Sequence, residues 1–129
     1  MVVEAGYKGR ILVVDDEPDI TSVMKRGLEA AGYAVDTFND SEQALAHFKN
    51  DRYDMLIFDI RMPRLNGFQL YRDIRKKDGK AKICFMTAFA VYRDEFEKVF
   101  PDYDIKCFLT KPLGIKDLQK IIEAELEKK

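Results

Sequence analysis

Short apolar runs alternate with amphipathic segments along this chain. Ile11-Leu12-Val13-Val14 is a β-branched run that stops at Asp15-Asp16. A run that is apolar at every position and bounded by polar residues suits a strand buried on both faces. Ile20, Val23, Met24, Leu28 and Ala31 then recur at steps of three and four, which marks an amphipathic helix. Pro18 suits the first helical position, with Glu17 or Asp16 as cap, and Gly32 can close the helix in a left-handed conformation.

The same alternation continues. Ala34 to Phe38 reads as a strand, and Ser41 to Asn50 as a helix capped by Ser41 with Ala44, Leu45 and Phe48 inward. Met55 to Phe58 is a strand ending at Asp59, after which Pro63 and Asn66-Gly67 form a loop before a helix with Phe68, Tyr71 and Ile74. Ile83 to Met86 is a strand ending at Thr87, and a helix with Phe89, Tyr92, Phe96, Val99 and Phe100 stops at Pro101. Ile105 to Leu109 is a fifth strand ending near Lys111-Pro112, and Ile115, Leu118, Ile121, Ile122 and Leu126 mark a last helix. Five strand–helix units in strict alternation imply an α/β fold: a parallel sheet covered on both faces. The 129 residues make one domain, with residues 1–9 as a lead-in and 10–129 as the folded unit.

Composition narrows the function. The formal net charge is −1, so neither direct nucleic-acid binding nor adhesion to a membrane surface is expected. No apolar run reaches the roughly 18–20 residues of a membrane helix, and the first ten residues do not read as a secretory signal. A cytoplasmic protein follows, with Cys84 and Cys107 close together on the adjacent fourth and fifth strands and expected as reduced core thiols rather than as a redox switch. His47, beside Phe48, reads as a surface or half-buried histidine.

The chemistry lies where the strands end. Asp15 and Asp16, Asp59, Thr87 and Lys111 each stand at the carboxyl end of an expected strand, and in an open parallel sheet those ends converge on one edge. Each has a plainer reading alone: helix caps for Asp15-Asp16 and Thr87, loop residues for Asp59 and Lys111. Together they place three carboxylates in one crevice, which repel unless a proton or a hard cation such as Mg²⁺ intervenes. Lys111 can reach a phosphoryl oxygen as a point charge, and the Thr87 hydroxyl can donate to one. A carboxylate nucleophile, a metal, an ammonium and a hydroxyl donor are the parts that phosphoryl transfer needs.

The stretches LVVDDEPD, DMLIFDIRMPRLNG, FMTAFA and FLTKP resemble the receiver domains of two-component response regulators, in order and at similar spacing, from about Arg10 to the end of the last helix. The resemblance implies a flavodoxin-like doubly wound sheet of strand order 2-1-3-4-5 with five helices. It implies that Asp59 is the phosphoacceptor and that Asp15, Asp16, Asp59 and the backbone carbonyl of Arg61 hold Mg²⁺, with Mn²⁺ as an alternative ion. It makes Lys111 the phosphoryl-contacting lysine and Thr87 with Phe108 the switch pair, although Phe108 alone would read as core. A cis bond between Lys111 and Pro112 is also implied. The implied partners are a histidine kinase or histidine phosphotransfer protein, an output partner of unknown identity, and a second copy in a phosphorylation-dependent homodimer. The implied change is on the face of the fourth helix, fifth strand and last helix. Arg61 and Phe89 lie two residues beyond Asp59 and Thr87, where the family borders the path of attacking water; neither is a general base near neutral pH, so slow self-dephosphorylation is expected. The segment between Thr87 and Lys111 is slightly longer than in the family, and the last helix brings the sequence to its end, so the output is expected either in a separate partner or in an output domain missing from this sequence.

Two other classes fit less well. A metal-dependent phosphohydrolase with an aspartyl-phosphate intermediate, of the haloacid dehalogenase type, usually has a second Asp where Arg61 stands. A flavodoxin-like flavin or nucleotide binder needs a Ser-, Thr- and Gly-rich loop where Asp15-Asp16-Glu17-Pro18 stands.

Overall fold

A computed structural model of the chain describes residues 6–87, 98, 107–111 and 113–128. Within them run β1 (Arg10–Val14), α1 (Pro18–Ala30), β2 (Ala34–Phe38), α2 (Ser41–His47), β3 (Met55–Asp59), α3 (Gly67–Lys77), β4 (Lys82–Thr87), β5 (Cys107–Thr110) and α4 (Ile115–Glu127). The helix expected over Phe89 to Phe100 lies outside the described residues, as does the Lys111–Pro112 bond. The strands form one parallel sheet in the order β2-β1-β3-β4-β5, which is the expected topology.

Alternate residues of the strands feed two cores. Leu12, Val14, Leu56, Phe58 and Phe85 pack with Phe68, Leu70, Tyr71 and Ile74 of α3 and Ala44 of α2. Ile11, Val13, Met55, Ile57, Cys84, Met86, Cys107 and Leu109 face the other way, onto Met24 and Leu28 of α1 and Leu118 and Ile122 of α4. Strands buried on both faces explain the continuous apolar runs.

Several local features differ from the sequence reading. Helix α1 starts as expected, with Glu17 as N-cap and Pro18 at its first position. It ends in a paired Schellman arrangement: Gly32, at φ +104, donates to the Glu29 carbonyl and Tyr33 to the Leu28 carbonyl. Val23, expected inward, is 52 % exposed. Thr21 is buried instead, because its hydroxyl donates to the Pro18 carbonyl at 3.1 Å and accepts from Asn39 Nδ2 at 2.9 Å.

Helix α2 is capped by Asp40 rather than Ser41. The Asp40 carboxylate accepts from the backbone N–H groups of Glu42 and Gln43. The helix stops at His47, short of Asn50, because Phe48 turns extended and buries its ring beside Tyr53, centroids 5.9 Å apart. Asn66 is the N-cap of α3 in a reciprocal capping box with Gln69, so Gly67 is already helical rather than loop. His47 lies at the surface, stacked on Phe38.

The cysteines are the largest departure. Cys84 and Cys107 form a disulfide, not the expected pair of reduced thiols. They are register partners in neighbouring strands, their Cα atoms are 4.6 Å apart, and both side chains fall on the same face. That separation is within bridging range.

Gly67 fixes how closely α3 approaches the end of β3. A Cβ there would strike the backbone carbonyl of Asp59 and come within 2.9 Å of Ile60 Cα. Gly79 has open space around it. We expect Gly67→Ala to lower stability by roughly 1–3 kcal/mol, since backbone cannot move aside as a side-chain tip can. Gly79→Ala should change it by less than about 0.5 kcal/mol. Urea unfolding midpoints of the two variants test this.

Candidate functional site

The sheet order reverses between β1 and β3, and this is where ligands bind in open α/β sheets. Asp15 follows β1 directly, Asp59 ends β3, Thr87 ends β4, and Lys111 follows β5. The backbone carries Lys111 to the same edge, since its N–H donates to the Thr87 carbonyl at 2.8 Å, extending the β4–β5 ladder. Asp15, Asp59 and Thr87 are all buried.

Lys111 is the hub. Its Nζ stands 2.7 Å from Asp15 Oδ2, 3.5 Å from Asp59 Oδ2 and 4.0 Å from Glu17 Oε1. Asp15 Oδ1 accepts the Glu17 backbone N–H at 2.9 Å. Its buried Oδ2 lies against the Lys111 ammonium, an ion pair whose hydrogen-bond alignment is poor.

Burial, and then the charge of Asp15, push the Asp59 carboxyl up to about 6, and Lys111 offsets only part of that rise. Burial opposes the charge on Lys111, but Asp15 first, then Asp59 and Glu17, outweigh it and hold the ammonium above its usual range.

A divalent cation fits this crevice on structural grounds. Asp15 Oδ2 is a buried anionic oxygen whose cationic neighbour, Lys111, also serves Asp59, and that shared charge does not offset the rise of the Asp59 carboxyl. Among the described residues, Asp15, Asp16 and Glu17 offer carboxylate oxygens within 4.8 Å of one another. An all-oxygen donor set suits a hard cation. Asp59 stands outside that group of three, and Glu17, read from the sequence as a cap, stands inside it.

The remaining expected residues are placed as follows. Arg61 is exposed in the loop after β3. Phe108 is half-buried, with its ring 5.6 Å from that of Phe85 and packed against the α2–α3 core. Phe89 lies outside the described residues.

Asn39, at the end of β2, was missed by the sequence reading. Its Nδ2 donates to the Asp15 backbone carbonyl and to the Thr21 hydroxyl, both at 2.9 Å, while Asp15 N–H donates to the Phe38 carbonyl. Asn39 thereby fixes the turn that aims Asp15. Its only signal in the sequence is a polar residue just past a strand end.

The raised Asp59 carboxyl has a consequence for stability without metal. A carboxyl that binds its proton more tightly when folded contributes stability below its ordinary value of 3.8, lost as pH rises through about 6. At pH 7 the ionised group therefore opposes folding. We expect Asp59→Asn to stabilise the metal-free protein at pH 7 by about 1–3 kcal/mol, the advantage vanishing near pH 4. Thermal unfolding in a chelator at the two pH values measures it.

The chain matches known proteins over the same elements. The family model of the response regulator receiver domain matches residues 11–123. Transcriptional regulatory protein RprY of Bacteroides fragilis is 30% identical over 129 residues, covering 98% of this chain and 53% of that protein. The alkaline phosphatase synthesis regulator PhoP of Bacillus subtilis is 30% identical over 120 residues, covering 92% and 49%. The chain thus spans about half the length of these curated relatives. Among solved structures, a CheY-like receiver domain protein from Methanospirillum hungatei superposes with TM-score 0.80 at 28% identity, covering 92% of this chain and 93% of that one. The response regulator TrrA of Thermotoga maritima, in complex with Mg²⁺–BeF, does so with TM-score 0.76 at 36% identity, covering 91% and 97%. The chain belongs to the response regulator receiver domain family, the signalling phosphoacceptors of two-component systems.

Proposed function

We propose that Asp59 is the phosphoacceptor and that Lys111 and Thr87 assist the transfer. A carboxylate oxygen of Asp59 attacks phosphorus in line, and the bond from phosphorus to the donor breaks. The donor is a phosphohistidine on a histidine kinase or phosphotransfer protein, or a small acyl phosphate. Lys111 meets the developing charge on the phosphoryl oxygens, and the Thr87 hydroxyl donates to one of them.

Asp15, Asp16, Asp59 and the Arg61 carbonyl would hold Mg²⁺, or Mn²⁺ in its place. The ion supplies positive charge that lets an anionic donor approach anionic oxygens. The observation that carries the reading is the position of Lys111, 2.7 Å from Asp15 and 3.5 Å from Asp59, in a crevice still short of positive charge.

Thr87 and Phe108 form the proposed switch. Withdrawal of the Thr87 hydroxyl toward the phosphoryl group leaves space, and Phe108 responds through packing alone, since its ring has no hydrogen-bonding group. The output partner reads the face that includes β5 and α4, and a second copy of the chain is a candidate occupant of that face. A phosphohydrolase is disfavoured because Arg61 stands where a second acid would.

Incubation with acetyl phosphate and Mg²⁺ should add one phosphoryl group by intact mass. Chelator should abolish the addition, and so should Asp59→Asn. Unchanged addition in Asp59→Asn would refute the assignment. The same mass readout, followed after donor removal, should show slow decay that quickens in the double variant Arg61→Asn/Phe89→Glu. Equal decay in both proteins would mean that these side chains do not shield the acyl phosphate.

A further inference from the structure

We propose that Cys84 and Cys107 are a thiol–disulfide modification site, and that its redox state sets how far β5 responds to phosphorylation; the second half rests on the proposed Asp59 chemistry. The pair cross-links the two strands that bring Thr87 and Lys111 to the site. Cys107 immediately precedes Phe108, and the next register pair after the bridge is Phe85 with Phe108. The bridge lies on the α1–α4 face, while the Phe85–Phe108 ring pair packs on the α2–α3 face. A covalent tie one residue away therefore pins the backbone of Phe108 without touching its ring.

The position of β5 makes the tie matter. It is an edge strand of the sheet, and among the described residues its four residues pair with β4 alone. An edge strand held on one side opens locally more readily than a central one. The disulfide replaces that freedom with a covalent loop running from Cys84 to Cys107, which contains Thr87. With the thiols reduced, β5 can shift against β4 when Thr87 moves; with them bridged, it cannot slide at that register.

The same edge gives the chemistry its access. Cys84 is fully buried and Cys107 is 7 % exposed, so Cys107 is the sulfur a reagent meets first when β5 opens. The oxidant is a low-molecular-weight disulfide of the glutathione type. The Cys107 thiolate attacks one of its sulfurs, breaking that S–S bond and releasing a small thiolate. The Cys84 thiolate then attacks Sγ of Cys107, forming the protein disulfide and expelling the second small thiolate. Two protein thiols are oxidised, one small disulfide is reduced, and the two thiol protons end on the two released thiolates.

The test uses the full chain in glutathione buffers of graded ratio. Acid quench, alkylation and intact mass count the free thiols. Both cysteines should be alkylated in reducing buffer and neither in oxidising buffer. Alkylation of both at every ratio would overturn the site. Amide spectra with Mg²⁺ and beryllofluoride then follow Phe108 in each form, and its shift should be at least about threefold larger when reduced. Cys107→Ala should give the large shift in every buffer. Equal Phe108 shifts in oxidised and reduced wild-type protein would overturn the coupling. A buffer-dependent shift in Cys107→Ala would do the same. Acetyl phosphate labelling of Asp59 in both forms separates the two readings. Failure in both sinks the phosphoacceptor assignment and the coupling with it, while the thiol count still decides the modification site.

Discussion

The parallel sheet forces buried carboxylates together, and one ammonium holds them. Lys111 reaches Asp15 and Asp59 at once because β5 ends beside β4 and delivers its next residue to the crevice. Paired buried charges are stable only where each has a partner, and here two anions share one cation. The shortfall appears as a raised Asp59 carboxyl, and the Asp15 oxygen meets the ammonium in poor hydrogen-bond alignment. The same shortfall suits the crevice to a cation.

The rest of the fold serves that geometry. The reversal of strand order at β1 and β3 opens the crevice, and the two cores hold the strand ends in place. Gly67 lets α3 sit against the backbone of Asp59, and Asn39 ties the end of β2 to the turn carrying Asp15. None of these contacts performs chemistry. Each helps to fix the position of a carboxylate at the crevice, and positional precision is most of what the proposed phosphoryl transfer asks of a protein.

The sheet topology and the gathering of Asp15, Asp59, Thr87 and Lys111 were legible in the sequence, because both follow from where apolar runs stop. The misreadings concern competition between neighbouring groups. Ser41 and Asp40 could each cap α2, and the carboxylate took the two N–H groups. Val23 fitted the apolar period, yet Thr21 is the residue buried, since its hydroxyl finds partners on Pro18 and Asn39. Glu17 is the cap of α1, as read, and its carboxylate also joins Asp15 and Asp16 in the acidic group, which the cap reading alone did not suggest. The Cys84–Cys107 pairing depends on the register of two strands, and a one-residue slip would have put the two sulfurs on opposite faces.

The central claim is that Lys111 alone leaves the crevice short of positive charge. Carbon-detected NMR titration of the Asp59 carboxyl, in metal-free protein, tests it directly. The account predicts a midpoint at about 6, moving higher in Lys111→Met. A midpoint at the ordinary 3.8, or one that Lys111→Met does not move, would contradict it.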